Sequence, residues 1–114
     1  MAESKCNAVS AQAFETSEQQ KAQEIQLAAQ AKALSHPARV RIIKILINLE
    51  KMGGCLNSDL VSELGLAQST VSEHLRILKQ AGFITAQPMP PKVCYRADLS
   101  AIEQFQLLFS KVCS

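Results

Sequence analysis

The chain of 114 residues is long enough for one domain with its own core and short enough to gain stability from a partner subunit. Apolar residues make up 47% and charged residues 19%, the values of an ordinary soluble protein. There is no apolar run of membrane-spanning length, and the polar N-terminus lacks the apolar core of a signal peptide. These features predict a cytoplasmic protein without membrane contact.

The net charge of +2 is small, but its distribution is informative. Residues 36–97 hold eight basic and four acidic side chains, whereas the segments before and after are each slightly acidic. A basic middle segment is where DNA phosphates would be met. Because the excess is modest, we expect tight binding to need two copies of the chain.

The N-terminal part divides into an arm and the start of a folded domain. Residues 1–16 hold Cys6 and show no clean periodicity, which predicts a mobile or partner-dependent arm, with the domain covering residues 17–114. Ser17 and Gln20 form a capping-box pattern. It predicts a helix that ends near Leu34 and carries a stripe of small residues suited to close helix packing.

A second helix is predicted from Ser35 as cap and Pro37 in the first turn. It ends at Met52, Gly53 and Gly54, with Cys55 in the loop that follows. Its buried side is expected to consist of Val40, Ile43, Leu46, Ile47 and Leu49. Three cations, Arg39, Arg41 and Lys44, lie on the other side, either solvated or in contact with phosphate.

The stretch from Gly65 to Gly82 has the pattern of a recognition helix. A short helix that stops at Gly65 is followed by a predicted helix over 68–80, with a turn between them. At roughly 100° per residue, one face of the second helix is apolar and the other polar. The apolar face comprises Val71, Leu75 and Leu78; the polar face comprises Ser69, Ser72, Glu73, Arg76 and Gln80. Ala67 occupies the cap position and cannot cap, so Ser69 or Thr70 would have to substitute.

After Gly82 the period of the pattern changes to two, which predicts a β-hairpin over FITAQ and KVCYRAD. The PMPP tip between the strands is expected to be a stiff, extended loop. Lys92 and Arg96 give the hairpin positive charge. A helix-turn-helix followed by a charged hairpin predicts a winged helix-turn-helix, a mainly α fold with a β-hairpin wing.

A last helix is predicted from Ser100, with an apolar stripe of Ile102, Phe105, Phe109 and Val112 and with Cys113 beside it. A terminal helix this apolar needs cover on a small domain. The first helix, from the same or a second subunit, would supply it, and a two-fold homodimer through the first and last helices follows.

The chain resembles the ArsR/SmtB family of winged-helix transcriptional repressors over about residues 28–112. The resemblance rests on KALSHPARVRIIKIL, on LGLAQSTVSEHLRILKQAGFI and on the V-x-Y-R of the second wing strand. It implies a dimeric protein with four helices, two strands and a fifth helix. It also implies binding to double-stranded operator DNA that is lost when an inducer binds, usually a metal or metalloid ion and sometimes a redox signal.

Carried over from the family, the DNA-reading positions are Gln68, Ser69, Thr70, Ser72 and Glu73. By base chemistry, Gln68 suits adenine, and Arg76 suits guanine or phosphate. Glu73 would accept from a cytosine amino group or pair with Arg76 or Lys79. His74 flanks the buried side of the helix and is expected to be structural.

Four cysteines in a chain without a signal peptide are expected to be free thiols that fill a core, sense redox state or bind metal. Residues 98–114 hold no His, which disfavours the family's zinc site on the last helix, and the family's C-x-C pair is also missing. The remaining metal-ligand candidates, in falling order, are Cys6, Cys55, Cys113 and Cys94. Soft thiolates select trivalent arsenic, organoarsenicals or antimony, with cadmium, lead or zinc as weaker candidates.

The resemblance favours a site that joins Cys6 to Cys55 across the dimer, with Cys113 or Cys94 as third ligand; both of these also read as buried packing residues. No permanently bound cofactor and no nucleotide is expected. One alternative is a redox- or polysulfide-sensing repressor in which two cysteines join. Another is a winged helix that binds protein, although its polar outer face lacks apolar anchors. An enzyme is not expected, because two histidines and no paired carboxylates form no catalytic constellation.

Overall fold

The computed structural model describes residues 11–56 and 60–114. Within residues 17–56 and 60–114 lie five helices and two strands, numbered here in chain order: α1 (Glu18–Ala33), α2 (Pro37–Lys51), α3 (Leu60–Leu64), α4 (Gln68–Gln80), β1 (Ile84–Met89), β2 (Lys92–Ala97) and α5 (Leu99–Val112). This is the predicted order, with α3 and α4 as the helix-turn-helix and β1–β2 as the wing. In these ranges no helix is both long and apolar enough to cross a membrane.

The starts of α1 and α2 show how local hydrogen bonds set helix limits. At α1 the predicted capping box is confirmed, since Gln20 N–H donates to Ser17 Oγ at 3.1 Å and Ser17 N–H donates to Gln20 Oε1 at 2.8 Å. At α2 the predicted cap, Ser35, is wrong. His36 caps the helix, with Nδ1 accepting from Ala38 N–H at 3.0 Å. The Ser35 hydroxyl donates instead to the Lys32 carbonyl and closes the end of α1.

The core lies between α2, the helix-turn-helix and the wing. From α2 it receives Ile42 and Leu46, which are 0% and 1% exposed. Val40 was expected to be buried as well, but it is 51% exposed. The inward stripe of α2 follows the four-residue spacing of Ile42 and Leu46, so Val40 turns toward a shallow apolar groove that it shares with Ile102 and Phe105 of α5.

The two wing strands pair in antiparallel fashion from Ile84 opposite Ala97 to Met89 opposite Lys92. Pairing continues through the Pro-rich stretch, which makes the predicted extended tip wrong. The turn consists of Pro90 and Pro91, joined by a cis peptide bond. On the other side of β2, Leu56 and Tyr95 exchange two backbone hydrogen bonds of 2.9 Å each. Leu56, which follows α2 and Cys55, is therefore joined to the wing.

Helix α5 begins at Leu99, one residue before the predicted start, because Asp98 caps it by accepting from Ala101 N–H at 3.0 Å. It packs along α1. This packing leaves large apolar side chains uncovered, with Ile25 of α1 71% exposed and Leu107 and Phe109 of α5 62% and 54% exposed. Within the described part of the single chain, no α5 residue is fully buried.

Candidate nucleic-acid interface and thiol pair

Helix α4 has the two faces that its sequence predicts. Val71, Leu75 and Leu78 are 2%, 8% and 0% exposed and anchor the helix in the core. The predicted polar face is confirmed as exposed, and it consists of Ser69, Ser72, Glu73, Arg76 and Gln80. The apolar anchors hold this face rigidly outward, which is what a recognition helix requires.

The first turn of α4 presents short polar side chains. Ala67 is the cap residue in an extended conformation, and it makes no side-chain hydrogen bond that would cap the helix, as its sequence predicts. Gln68 and Ser72 lie one turn apart, and Gln68 Nε2 donates to Ser72 Oγ at 3.3 Å. Both remain exposed, so their polar groups are accessible to a ligand.

Glu73 and Arg76 form a two-bond ion pair on the same face. Arg76 Nε donates to Glu73 Oε1 at 2.8 Å, and Nη2 donates to Oε2 at 2.6 Å. The remaining Arg76 Nη1 donates to Gln80 Oε1 at 2.9 Å. The hydrogen bonds from Arg76 lower the pKa of Glu73, so the carboxylate is ionised at neutral pH. Arg76 and Lys79 were the two side chains predicted to pair with Glu73, and the structure shows the pair with Arg76.

Behind this face lies a buried histidine. His74 is 6% exposed, which confirms its structural placement, and its Nδ1 accepts from Arg39 Nε at 3.2 Å. Arg39 also donates to the Ala33 carbonyl at 3.2 Å, and the His36 ring lies 4.5 Å from that of His74. Burial, and then the charges of His36 and Arg39, lower the pKa of His74. Arg39 is therefore a structural donor that joins α1, α2 and α4.

The wing lies beside the start of α4. A groove of about 510 Å³ separates Gln68 and Ser72 on one wall from Lys92 and Val93 on the other. Lys92 is exposed at the start of β2. Arg96 is held at the base of the wing, where Nε and Nη2 donate to the Glu50 carboxylate at 3.1 and 2.8 Å. Sequence reasoning missed Glu50, because a partner 46 residues away leaves no local signal.

The cysteines differ from the prediction of four free thiols. Cys55 and Cys94 form a disulfide within one chain, with Cα atoms 5.8 Å apart. The order of candidates placed Cys94 last, yet it is the partner of Cys55. Cys113 is free and exposed beyond the end of α5, so its expected place on a buried stripe is wrong. Cys6 lies outside the described residues.

No group of three or more His, Cys, Asp or Glu side chains lies close enough to hold a metal ion in residues 11–56 and 60–114. The sequence did contain one hint of the thiol pair. The alternation of β2 places Cys94 and Arg96 on one face of the strand, and both are used there to hold the end of α2 and its loop.

Comparison with known proteins identifies the family. Residues 36–86, which contain α2, the helix-turn-helix and the first half of β1, match the model of the bacterial regulatory protein arsR family. The uncharacterised helix-turn-helix transcriptional regulator YbzH of Bacillus subtilis is 32% identical, over 62% of this chain and 82% of that protein. The transcriptional repressor SmtB of Mycobacterium tuberculosis is 37% identical, over 57% of this chain and 45% of its own length.

Comparison with solved structures shows the same kind of fold. The structure of reduced HlyU from Vibrio cholerae superposes with a TM-score of 0.63 at 23% identity, covering 86% of this chain and all of that one. The chain spans about half the length of the first curated relatives it matches. The relatives named here are transcriptional regulators and repressors, and none is named as an enzyme. The chain belongs to the arsR family of bacterial helix-turn-helix regulatory proteins.

Proposed function

We propose that this protein is a transcriptional repressor that binds double-stranded operator DNA as a homodimer. The observation that carries the proposal is the exposed polar face of α4, held outward by three buried apolar anchors beside a wing with an exposed lysine. A helix of this kind fits the major groove, where side-chain amides, hydroxyls and guanidinium groups read base edges.

The proposed DNA contacts divide by chemistry. Gln68, Ser69, Thr70 and Ser72 present amide and hydroxyl groups at the first turn, which is the end of a recognition helix that reaches bases. Lys92 on the wing is a point charge suited to phosphate. Glu73, Arg76 and Arg96 complete the proposed set, but each is already paired in the free protein, so contact with DNA requires an exchange of partners.

The proposed dimer joins α1 and α5 of two subunits. The uncovered apolar side chains of these helices support it, because a single chain leaves Ile25, Leu107 and Phe109 in water. Two-fold symmetry would present two α4 helices to successive major grooves, about 34–36 Å apart. We further propose that residues 1–16 are an arm attached to the domain formed by residues 17–114.

We propose that a thiophilic ion releases the repressor from its operator by binding cysteine thiolates. Trivalent arsenic, organoarsenicals and antimony are the first candidates, because they take two or three sulfurs; cadmium, lead and zinc follow. When reduced, Cys55 and Cys94 would offer two sulfurs from one subunit. Cys6 or Cys113 would be the third ligand, from the same or the partner subunit.

The test begins with duplexes selected by the reduced protein from a random-sequence library. Affinity for the selected duplex should fall steeply with salt, and an affinity indifferent to salt would contradict DNA binding through phosphates. Release is then titrated with arsenite, methylarsenite, antimonite, cadmium and zinc, for the native chain and each Cys→Ser variant. Full response by all four single variants would contradict sensing through these thiols.

A further inference from the structure

Three different contacts join the wing to the end of α2 at one place. The Glu50 carboxylate holds Arg96, Cys55 is bonded to Cys94, and Leu56 exchanges backbone hydrogen bonds with Tyr95. On β2 these partners are the consecutive residues 94–96. Two of the three contacts do not depend on redox state, so they would keep the two thiols close together after reduction.

The bonded pair joins the wing to the loop that follows α2. Cys94 is 2% exposed, whereas Cys55 is partly exposed and follows Gly54 in the loop. The next residue, Leu56, lines the groove between wing and recognition helix, together with Leu60 at the start of α3. A covalent bond at Cys55 therefore joins the wing strand to the residue that precedes Leu56 in the wall of this groove.

We propose that Cys55 and Cys94 are a reversible redox modification site, which a hydroperoxide oxidises to the disulfide and whose state controls operator affinity through the wing. The inference rests on the proposed function as a DNA-binding repressor and adds its regulation. It assigns the redox response to two cysteines of one subunit. It also makes oxidation and thiophilic-ion binding mutually exclusive at this pair, because the disulfide has no thiolate to donate.

The chemistry balances in two steps. The partly exposed Cys55 thiolate attacks the outer oxygen of a hydroperoxide; the O–O bond breaks, and an alcohol, or water from hydrogen peroxide, leaves after taking a proton. The Cys94 sulfur then attacks the Cys55 sulfenic acid, and the S–S bond forms as water leaves. The two thiols lose two electrons and two protons, and the peroxide oxygen atoms take up both. A dithiol reductant reverses the change.

The disulfide is expected to weaken operator binding. DNA must be reached at once by Lys92 on the wing and by Gln68 and Ser72 across the groove. In the reduced protein, the Leu56–Tyr95 pairing and the Glu50–Arg96 ion pair would hold the wing to the end of α2, and these non-covalent contacts would allow the wing to adjust against α4. The disulfide removes that adjustment, and two-state coupling of this kind is typically worth about 5- to 150-fold in affinity.

The experiment compares the full chain after dithiothreitol treatment with the chain after stoichiometric hydrogen peroxide, on a duplex selected by the reduced form. Peptide mapping should recover the Cys55–Cys94 linkage, and fluorescence anisotropy should show operator Kd rising at least about 5-fold on oxidation. Dithiothreitol should restore the original Kd. The oxidised form should also bind less arsenite than the reduced form, measured by mass.

Single variants provide the controls. C55S should keep the operator affinity of the reduced protein and lose the peroxide response, and C113S should respond like the native chain. C94A removes the buried partner and should likewise lose the peroxide response. Circular dichroism confirms that this variant folds. Unchanged or tighter binding on oxidation, a linkage through Cys6 instead, or a full response by C55S would overturn the inference. If neither form binds any duplex in a salt-dependent way, the proposed function itself fails.

Discussion

Arg39 of α2 donates its Nε–H to Nδ1 of His74 on the recognition helix across 3.2 Å. Because Nδ1 accepts, the ring proton of neutral His74 lies on Nε2, which is buried and has no hydrogen-bond partner among the described residues. A second proton would have to be added at Nδ1, against a donor that already occupies this position. The contact thus stabilises α4 only while His74 is neutral.

The first prediction concerns pH. Burial lowers the pKa of His74, followed by the charges of His36 and Arg39, so the unfolded chain binds a proton more readily than the folded one. The contribution of His74 to stability is complete above the ordinary histidine pKa of about 6.5 and is lost as pH falls below it. Thermal unfolding between pH 7.5 and pH 5.5 should show Tm falling.

H74N is the matched variant, because its side-chain oxygen can still accept from Arg39 but does not titrate in this range. Its Tm should change less over the same interval. An equal fall in the native protein and H74N would assign the pH dependence to other groups.

The second prediction concerns the uncapped start of α4. Ala67 has the extended backbone conformation of a cap residue but no side-chain acceptor. A67S should add the missing hydrogen bond and raise the free energy of unfolding by about 1 kcal/mol, measured by urea denaturation. A67V provides no acceptor and should not stabilise the protein. Equal stability of A67S and A67V would show that solvent already satisfies this helix start.

The third prediction concerns the pair formed by Glu73 and Arg76. E73Q removes the negative charge that holds the guanidinium along the helix surface, so Arg76 becomes available to DNA. Duplex affinity should rise and become more salt-dependent, with the slope steepening by about 0.9 for one added phosphate contact. E63Q removes an exposed acid from α3 and should have a smaller effect. A similar gain in both variants would indicate a general charge effect.

The fourth prediction separates base reading from phosphate contact. Q68A should lower affinity for the selected duplex more than for random duplex, with a loss of about 1–3 kcal/mol in discrimination. K92A should weaken binding to both duplexes alike and reduce the salt slope by about 0.9. Competition binding at several salt concentrations measures both. A uniform loss in Q68A together with a sequence-specific loss in K92A would contradict the proposed interface.

The fifth prediction concerns the dimer. L107E places a charge in the uncovered apolar surface of α5 and should shift the protein toward monomer in sedimentation velocity, with a matching loss of operator affinity. M52E makes the same kind of change at an exposed residue just after α2. It should leave the association state unchanged. A dimeric L107E protein would place the interface elsewhere.

Local pattern alone was enough for the order of the helices and for the two faces of α4. The range 68–80, its three buried anchors and the capping box at Ser17 all follow from periodicity and short-range hydrogen bonding, which act within one or two turns. The apolar surface of α1 and α5 could likewise be predicted from the sequence. The basic middle segment and the change of period after Gly82 indicated DNA and a wing.

The tertiary structure decided which distant groups meet. Cys55 and Cys94 are separated by 39 residues, Glu50 and Arg96 by 46, and Arg39 and His74 by 35. Each pair is created by packing the end of α2 against the wing, or its start against α4, and no periodic signal encodes such a meeting. For this reason Cys94 came last among the predicted metal-ligand cysteines, and the prediction for Arg39 remained either a solvated side chain or a phosphate contact. In the folded chain, Cys94 bonds the wing to the loop after α2, and Arg39 joins α2 to the recognition helix.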